Sequence, residues 1–183
     1  APGLDHITKT PTINCKDLEE HLSFQLGSTS FLVTYHPVTL REVATRDEID
    51  ALLAALAAFP ESRVVFTGVN ADTGNHVVSQ RIADYVNNSG GAAKNFTSLG
   101  HNRYLSMMRA ADVVIGNSSS GVIEAPALRT ASVDIGDRQR GRLKAASVIS
   151  CEGNRKSIEA AISKALSADF RSLLKTVESP YGS

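Results

Sequence analysis

The chain has 183 residues, 42% of them hydrophobic and 21% charged, and its 19 basic and 19 acidic side chains cancel. That length suits one globular unit able to bury its own core, and the absence of net charge leaves no long-range field to draw it to nucleic acid or an anionic membrane. Two cysteines, Cys15 and Cys151, lie far apart and in no metal-ligand spacing, which argues against a disulfide framework or zinc site and for two structural thiols in a reducing compartment.

No apolar stretch approaches the roughly 20 residues of a membrane span, and the opening APGLDHITKT lacks the parts of a signal peptide, so a cytoplasmic location is expected. After this polar opening, the β-branched and aromatic run Phe31 to His36 reads as a first core strand, stopped where His36 meets Pro37. Asp47 is a plausible N-cap for a helix through Phe59, with Ile49, Leu52, Leu53 and Leu56 at helical spacing. Arg63 to Val69 is a second strand, and a second helix starting at His76 runs to the Asn-Ser-Gly-Gly stretch, with Val78, Ile82 and Tyr85 on one face. A weaker strand at Asn95 to Leu99, a helix at Tyr104 to Ala111, a strong strand at Asp112 to Gly116 and a short helix at Gly121 to Leu128 follow. Strands at Ser132 to Gly136 and Ser147 to Ser150, then the helix RKSIEAAISKAL, complete the alternation. The pattern predicts an α/β, doubly wound parallel sheet, Rossmann-like, over residues 1–183 as a single unit.

In the strand order 3-2-1-4-5-6 common to such sheets, the first strand neighbours the fourth, and ligands sit beyond their carboxyl ends. His36 and the segment Asn117 to Gly121 are expected there. GNSSSGVIE leaves a strand through glycine and enters a helix, so its backbone N–H groups and the hydroxyls of Ser118 to Ser120 suit a diphosphate. The alternative is that the serines simply cap the helix. Glu124 is an acceptor-only carboxylate able to bind the two hydroxyls of a ribose, or else a solvated helix residue. His36 can donate to a phosphate oxygen or a leaving diphosphate, whereas His6, His21, His76 and His101 lack its position and read as surface or helix-end residues. Asn70, after the second strand, is a further candidate, while Asp72 reads as shaping its loop. Arg138, Arg140 and Arg142 follow the fifth strand, and Arg138, nearest its end, offers a forked donor to diphosphate. The G-x-G-x-x-G fingerprint, the P-loop and a nucleophile elbow are all absent, which argues against a dinucleotide dehydrogenase, a P-loop ATPase and a serine hydrolase.

Together HPVT (His36 to Thr39), VNADTGN (Val69 to Asn75), GNSSSGVIEAP (Gly116 to Pro126) and IGDRQRGR (Ile135 to Arg142) resemble the carboxyl-terminal half of UDP-N-acetylglucosamine 2-epimerases. The resemblance is greatest to the hydrolysing branch of sialic acid biosynthesis. APGLDHI resembles the hinge into that half, and SPYGS the Asn-Pro-Tyr-Gly stretch near its end. The resemblance implies the nucleotide-binding lobe of a GT-B fold, with residues 1–14 as an interdomain hinge. It implies that His36, as catalytic residue, and Asn70 contact the diphosphate or sugar, Ser118 and Ser119 the phosphates, Glu124 the ribose, and Arg138 a further part of the nucleotide. The ligands would be UDP and UDP-N-acetylglucosamine, with no cofactor and no metal. The protein partner would be an amino-terminal lobe supplying acidic residues for proton transfer, with room for a homo-oligomer. The implied chemistry is removal of the C2 proton with elimination of UDP to a 2-acetamidoglucal, then addition of water to give N-acetylmannosamine. The lobe alone is expected to bind UDP without turnover. A non-hydrolysing 2-epimerase, a GT-B glycosyltransferase lobe and a non-catalytic nucleotide-sugar sensor are the alternatives.

Overall fold

Every residue of Ser30–Thr34 is buried, as befits a strand covered on both faces, and this strand lies inside a six-stranded parallel sheet. The computed structural model describes residues 4–37, 42–68 and 76–182. In chain order the elements are α1 (Asp5–Lys9), α2 (Cys15–Leu22), β1 (Ser30–Thr34), α3 (Glu42–Ala57), β2 (Arg63–Thr67), α4 (His76–Asn87) and β3 (Ala93–Asn95). They continue with α5 (His101–Ala110), β4 (Val113–Gly116), α6 (Ser120–Ala127), β5 (Ala131–Ile135), β6 (Val148–Cys151), α7 (Arg155–Leu166) and α8 (Ala168–Leu174). The sheet order is β3-β2-β1-β4-β5-β6, all parallel, as the alternating pattern predicts.

Alternation along the strands sorts the core into two layers. Phe31, Val33, Phe66, Ile115 and Val133 pack against Ile49, Leu52, Ile82, Ile158 and Ile162, under α3, α4 and α7. Leu32, Val65 and Val114 face the other way, onto Leu18, Leu22, Met107, Met108 and Ala125 of α2, α5 and α6. On this second face the last rung of the sheet changes character. Register puts Thr67, Thr34, Gly116, Asp134 and Ser150 side by side in one row, polar or side-chain-free throughout. The apolar layer therefore stops one rung short of the carboxyl edge, and a polar floor begins.

Several boundaries differ from the sequence expectation. Helix α3 starts at Glu42, so Asp47 is an exposed residue within it and not its N-cap. Strand β3 is Ala93–Asn95, because Ala93 is the buried partner of Val64; from Phe96 onward the chain only touches β2, through the Phe96 N–H to the Phe66 carbonyl. The polar opening holds two helices that hydrophobic spacing alone did not reveal. The Asn14 side chain caps α2 by accepting the Asp17 N–H at 2.9 Å, and Leu18 and Leu22 bury its inner face. Ser167 likewise caps α8, accepting the Phe170 N–H at 3.2 Å. Cys151 is half-buried in β6, with burial pushing its thiol up to about 12, whereas Cys15 is exposed at the start of α2, so the structural reading does not describe Cys15.

Candidate functional site

Gly116 ends β4 directly beside β1. A Cβ there would lie 1.9 Å from the Thr34 carbonyl oxygen, and the residue has φ of +147°, so only glycine lets the chain turn out at this point. The next residue, Asn117, is fully buried. Its Oδ1 accepts the His36 N–H at 2.8 Å and its Nδ2 donates to the His36 carbonyl at 2.8 Å, so one side chain satisfies both backbone groups of His36. From the loop after β5, Gln139 donates through Nε2 to the Asn117 carbonyl at 3.0 Å, and Arg138 reaches the Pro37 carbonyl at 3.4 Å. The exits of β1, β4 and β5 are thus laced into one unit across the switch point. Sequence reading put Asn117 at this edge but not facing inward, and it passed over Gln139. A loop amide has no periodicity to betray which way it points.

His36 is half-buried. Burial first, and then the nearby Arg138 guanidinium, hold its imidazole below the ordinary value, so the ring is mostly neutral at pH 7 and has one N–H to donate. Arg138 is itself exposed, as are Arg140 and Arg142. An anion between His36 and Arg138 would offset the disfavour that Arg138 places on the protonated ring.

The serines divide their work. Ser119 is the N-cap residue of α6 yet makes no capping hydrogen bond with its side chain. Ser118 Oγ meets Ser120 Oγ at 3.0 Å and weakly accepts the Ser120 N–H at 3.3 Å. Ser120 in turn pairs with the Tyr104 hydroxyl from α5, which also lies 3.5 Å from Thr34 Oγ1 on the polar floor. Tyr104 therefore braces the loop from below, a role no sequence signal marked beyond its helical position. Gly121 lets α6 lie close to the sheet, since a Cβ there would sit 2.8 Å from Ser132 Oγ.

Glu124 follows on α6, half-buried, with Oε2 buried and without a hydrogen-bond partner. A buried carboxylate oxygen left unpaired is an acceptor waiting for a donor. Asn70 and Asp72 lie outside the described residues, as do Val38 and Thr39 of the HPVT motif. Among the described residues no group of histidine, cysteine and carboxylate side chains has the arrangement of a metal site, and no helix is long and apolar enough to cross a membrane. His21, His76 and His101 are exposed and His6 is half-buried, its ring tilted 60° against that of His101 with centroids 4.6 Å apart.

The sequence and the fold have parallels among known proteins. The chain is 38% identical over 159 residues to the GDP/UDP-N,N'-diacetylbacillosamine 2-epimerase (hydrolyzing) of Campylobacter jejuni, covering 87% of this chain and 41% of that protein. It is 35% identical over 167 residues to the polysialic acid biosynthesis protein P7 of Escherichia coli, covering 89% and 42% respectively. The chain thus spans about two-fifths of the length of the curated relatives it matches. In fold it resembles the Neisseria meningitidis UDP-GlcNAc 2-epimerase solved with UDP-GlcNAc, at a TM-score of 0.68 and 15% identity over 91% of this chain and 44% of that one. The UDP-N-acetylglucosamine 2-epimerase family model matches residues 1–183, and with the relatives' identities this shows that the chain belongs to the UDP-N-acetylglucosamine 2-epimerase family.

Proposed function

We propose that the chain is the UDP-binding lobe of a hydrolysing UDP-N-acetylglucosamine 2-epimerase, a cytoplasmic protein whose other lobe closes over the sugar. The observation that carries this reading is the lacing of His36, Asn117 and the Arg138 loop across the switch point, beside a serine loop whose N-cap hydroxyl makes no capping bond. In this reading Ser118, Ser119 and the first N–H groups of α6 hold the diphosphate, Arg138 adds charge, Glu124 accepts from the ribose hydroxyls, and Asn70 contacts the sugar side. His36, neutral when free, donates to the diphosphate as it departs. The C2 proton leaves with the C1–O bond to UDP, giving the 2-acetamidoglucal, and water adds across the double bond to give N-acetylmannosamine. The groups that move the C2 proton belong to the other lobe, and residues 1–14 form the hinge to it.

A second sugar is favoured by the Campylobacter jejuni relative, whose name specifies a diacetylbacillosamine donor on either GDP or UDP. Calorimetric titration of the chain with UDP, GDP, UDP-N-acetylglucosamine and UDP-N,N'-diacetylbacillosamine separates these readings, with binding of UDP and UDP-N-acetylglucosamine expected. Glu124→Ala should weaken UDP by on the order of 1–3 kcal/mol, because the ribose hydroxyls lose a charged acceptor. No UDP binding by the parent chain would overturn the proposal, and unchanged affinity in the variant would remove Glu124 from the site.

A further inference from the structure

The back of the site, on the α3 face of the sheet, holds a carboxyl group that the nucleotide reading does not use. Glu48 projects from α3 and accepts the Tyr35 hydroxyl at 2.8 Å. Tyr35 is buried and immediately precedes His36. The same carboxylate lies against the two turns that follow β5 and β6: a Cβ on Gly136 would approach it to 3.5 Å, and one on Gly153 would strike Glu48 Oε2 at 2.2 Å. Gly136, with φ of +78°, opens the loop that carries Arg138 and Gln139. One side chain therefore holds the residue before His36 by a hydrogen bond, packs closely on Gly153 and faces the glycine that starts the arginine loop.

The charged surroundings agree with this placement. Burial raises the Glu48 carboxyl, the Tyr35 hydrogen bond counteracts it, and Asp137 adds to the rise. Tyr35 is driven upward by burial and then by Glu48, with Arg138 pulling it back. Cys151 on β6 is raised by burial, then by Asp134 and Glu48. Among the described residues, Asp137, Arg138 and Cys151 are thus the titratable and charged groups that bear on this pair from the β5 loop and β6.

We infer that Glu48 is a positioning residue, which through Tyr35 and the Gly136 turn holds His36 and Arg138 at the separation the diphosphate site requires. The inference rests on the diphosphate reading of that site, but its first readout does not. The His36 imidazole reports locally, because its value is held down by burial and by Arg138. If the support is lost, both influences relax and the titration of His36, followed by NMR, moves up toward the ordinary histidine value.

Four variants test this. Glu48→Ala and Tyr35→Phe remove the hydrogen bond, and both should raise the His36 titration and weaken UDP about fivefold to tenfold. Glu48→Gln keeps an oxygen acceptor of the same size, so it should restore both to near the parent. Gly153→Ala leaves the pair chemically intact but pushes the flexible end of Glu48 aside, so it should reproduce Glu48→Ala in a folded protein; the double variant should be no worse than either single one. A His36 titration unchanged in Glu48→Ala, Tyr35→Phe and Gly153→Ala would overturn the inference, as would failure of Glu48→Gln to restore it. If the parent does not bind UDP, the diphosphate reading fails, while the His36 titrations still decide whether Glu48 sets this geometry.

Discussion

Asp112, at the amino edge of the sheet, and Glu124, beyond its carboxyl edge, are both half-buried carboxylates, and the fold treats them differently. Asp112 Oδ2 accepts the Ser30 N–H at 2.8 Å while Oδ1 faces Arg171 at 3.8 Å. Its neighbours at that edge pair as locally: Arg63 donates to the Gln25 carbonyl at 2.9 Å, and Ser62 to the Phe59 carbonyl at 2.6 Å. Ser147, just ahead of β6, is an exception, its hydroxyl buried and unpartnered. At the other edge, Glu124 Oε2 and Gln139 Oε1 are buried without hydrogen-bond partners, while the buried Asp134 carboxylate meets Lys144 at 3.1 Å. Polar groups at the amino edge close the fold, whereas those at the carboxyl edge retain unused capacity. Substitutions that weaken UDP should therefore gather at the carboxyl edge, while those at the amino edge should touch stability alone.

The sharpest way to break this comparison is at the two backbone exits. Gly116→Ala drives a methyl into the Thr34 carbonyl, which is backbone and cannot swing away, so a loss on the order of 3–5 kcal/mol is expected in urea denaturation. Wild-type stability there would mean that β1 and β4 do not approach as described.

A smaller loss is expected from Asn117→Ala, which strands the N–H and carbonyl of His36, at about 2–4 kcal/mol together with a clear fall in UDP affinity. Its amino-edge counterpart, Asp112→Ala, should cost about 1–2 kcal/mol and leave UDP affinity within about twofold. If Asp112→Ala weakened UDP as much as Asn117→Ala, the division of labour between the edges would be wrong.

The smallest effect expected is on pH dependence. His36 titrates below the ordinary histidine value when free, and a bound diphosphate raises it by stabilising the imidazolium. The complex then binds more protons than the free chain, so affinity rises as pH falls through the bound value and levels off below the free one. UDP-N-acetylglucosamine is the ligand of choice, since its doubly esterified diphosphate does not itself titrate near neutrality. A gain of a few-fold between pH 8 and pH 5.5 is expected, flattened in His36→Gln; a level profile in the parent would place His36 away from the phosphates.

Much of this was readable from the residue order, for identifiable reasons. Buried parallel strands are short apolar runs, so β1, β2, β4 and β5 stand out, and α7 has a capping asparagine at Asn154 ahead of a regular apolar stripe. The switch-point rule then brings His36 and the Arg138 loop to one edge. What escaped notice depends on side-chain direction or on elements that are short and polar overall. Helices α1 and α2 lie in a polar stretch and are secured by a few buried residues, Leu4, Ile7, Leu18 and Leu22. The inward turn of Asn117, the brace from Tyr104 and the contact of Glu48 with two distant glycines exist only once the chain is folded.

The grip of Asn117 on His36 also bears on time. The His36 amide lies beyond the last paired rung of β1, where amides ordinarily exchange with solvent through local fraying, yet its acceptor belongs to a side chain with no solvent exposure. Its proton can leave only when β1 and β4 part, so its lifetime is that of the central sheet and not of a loop.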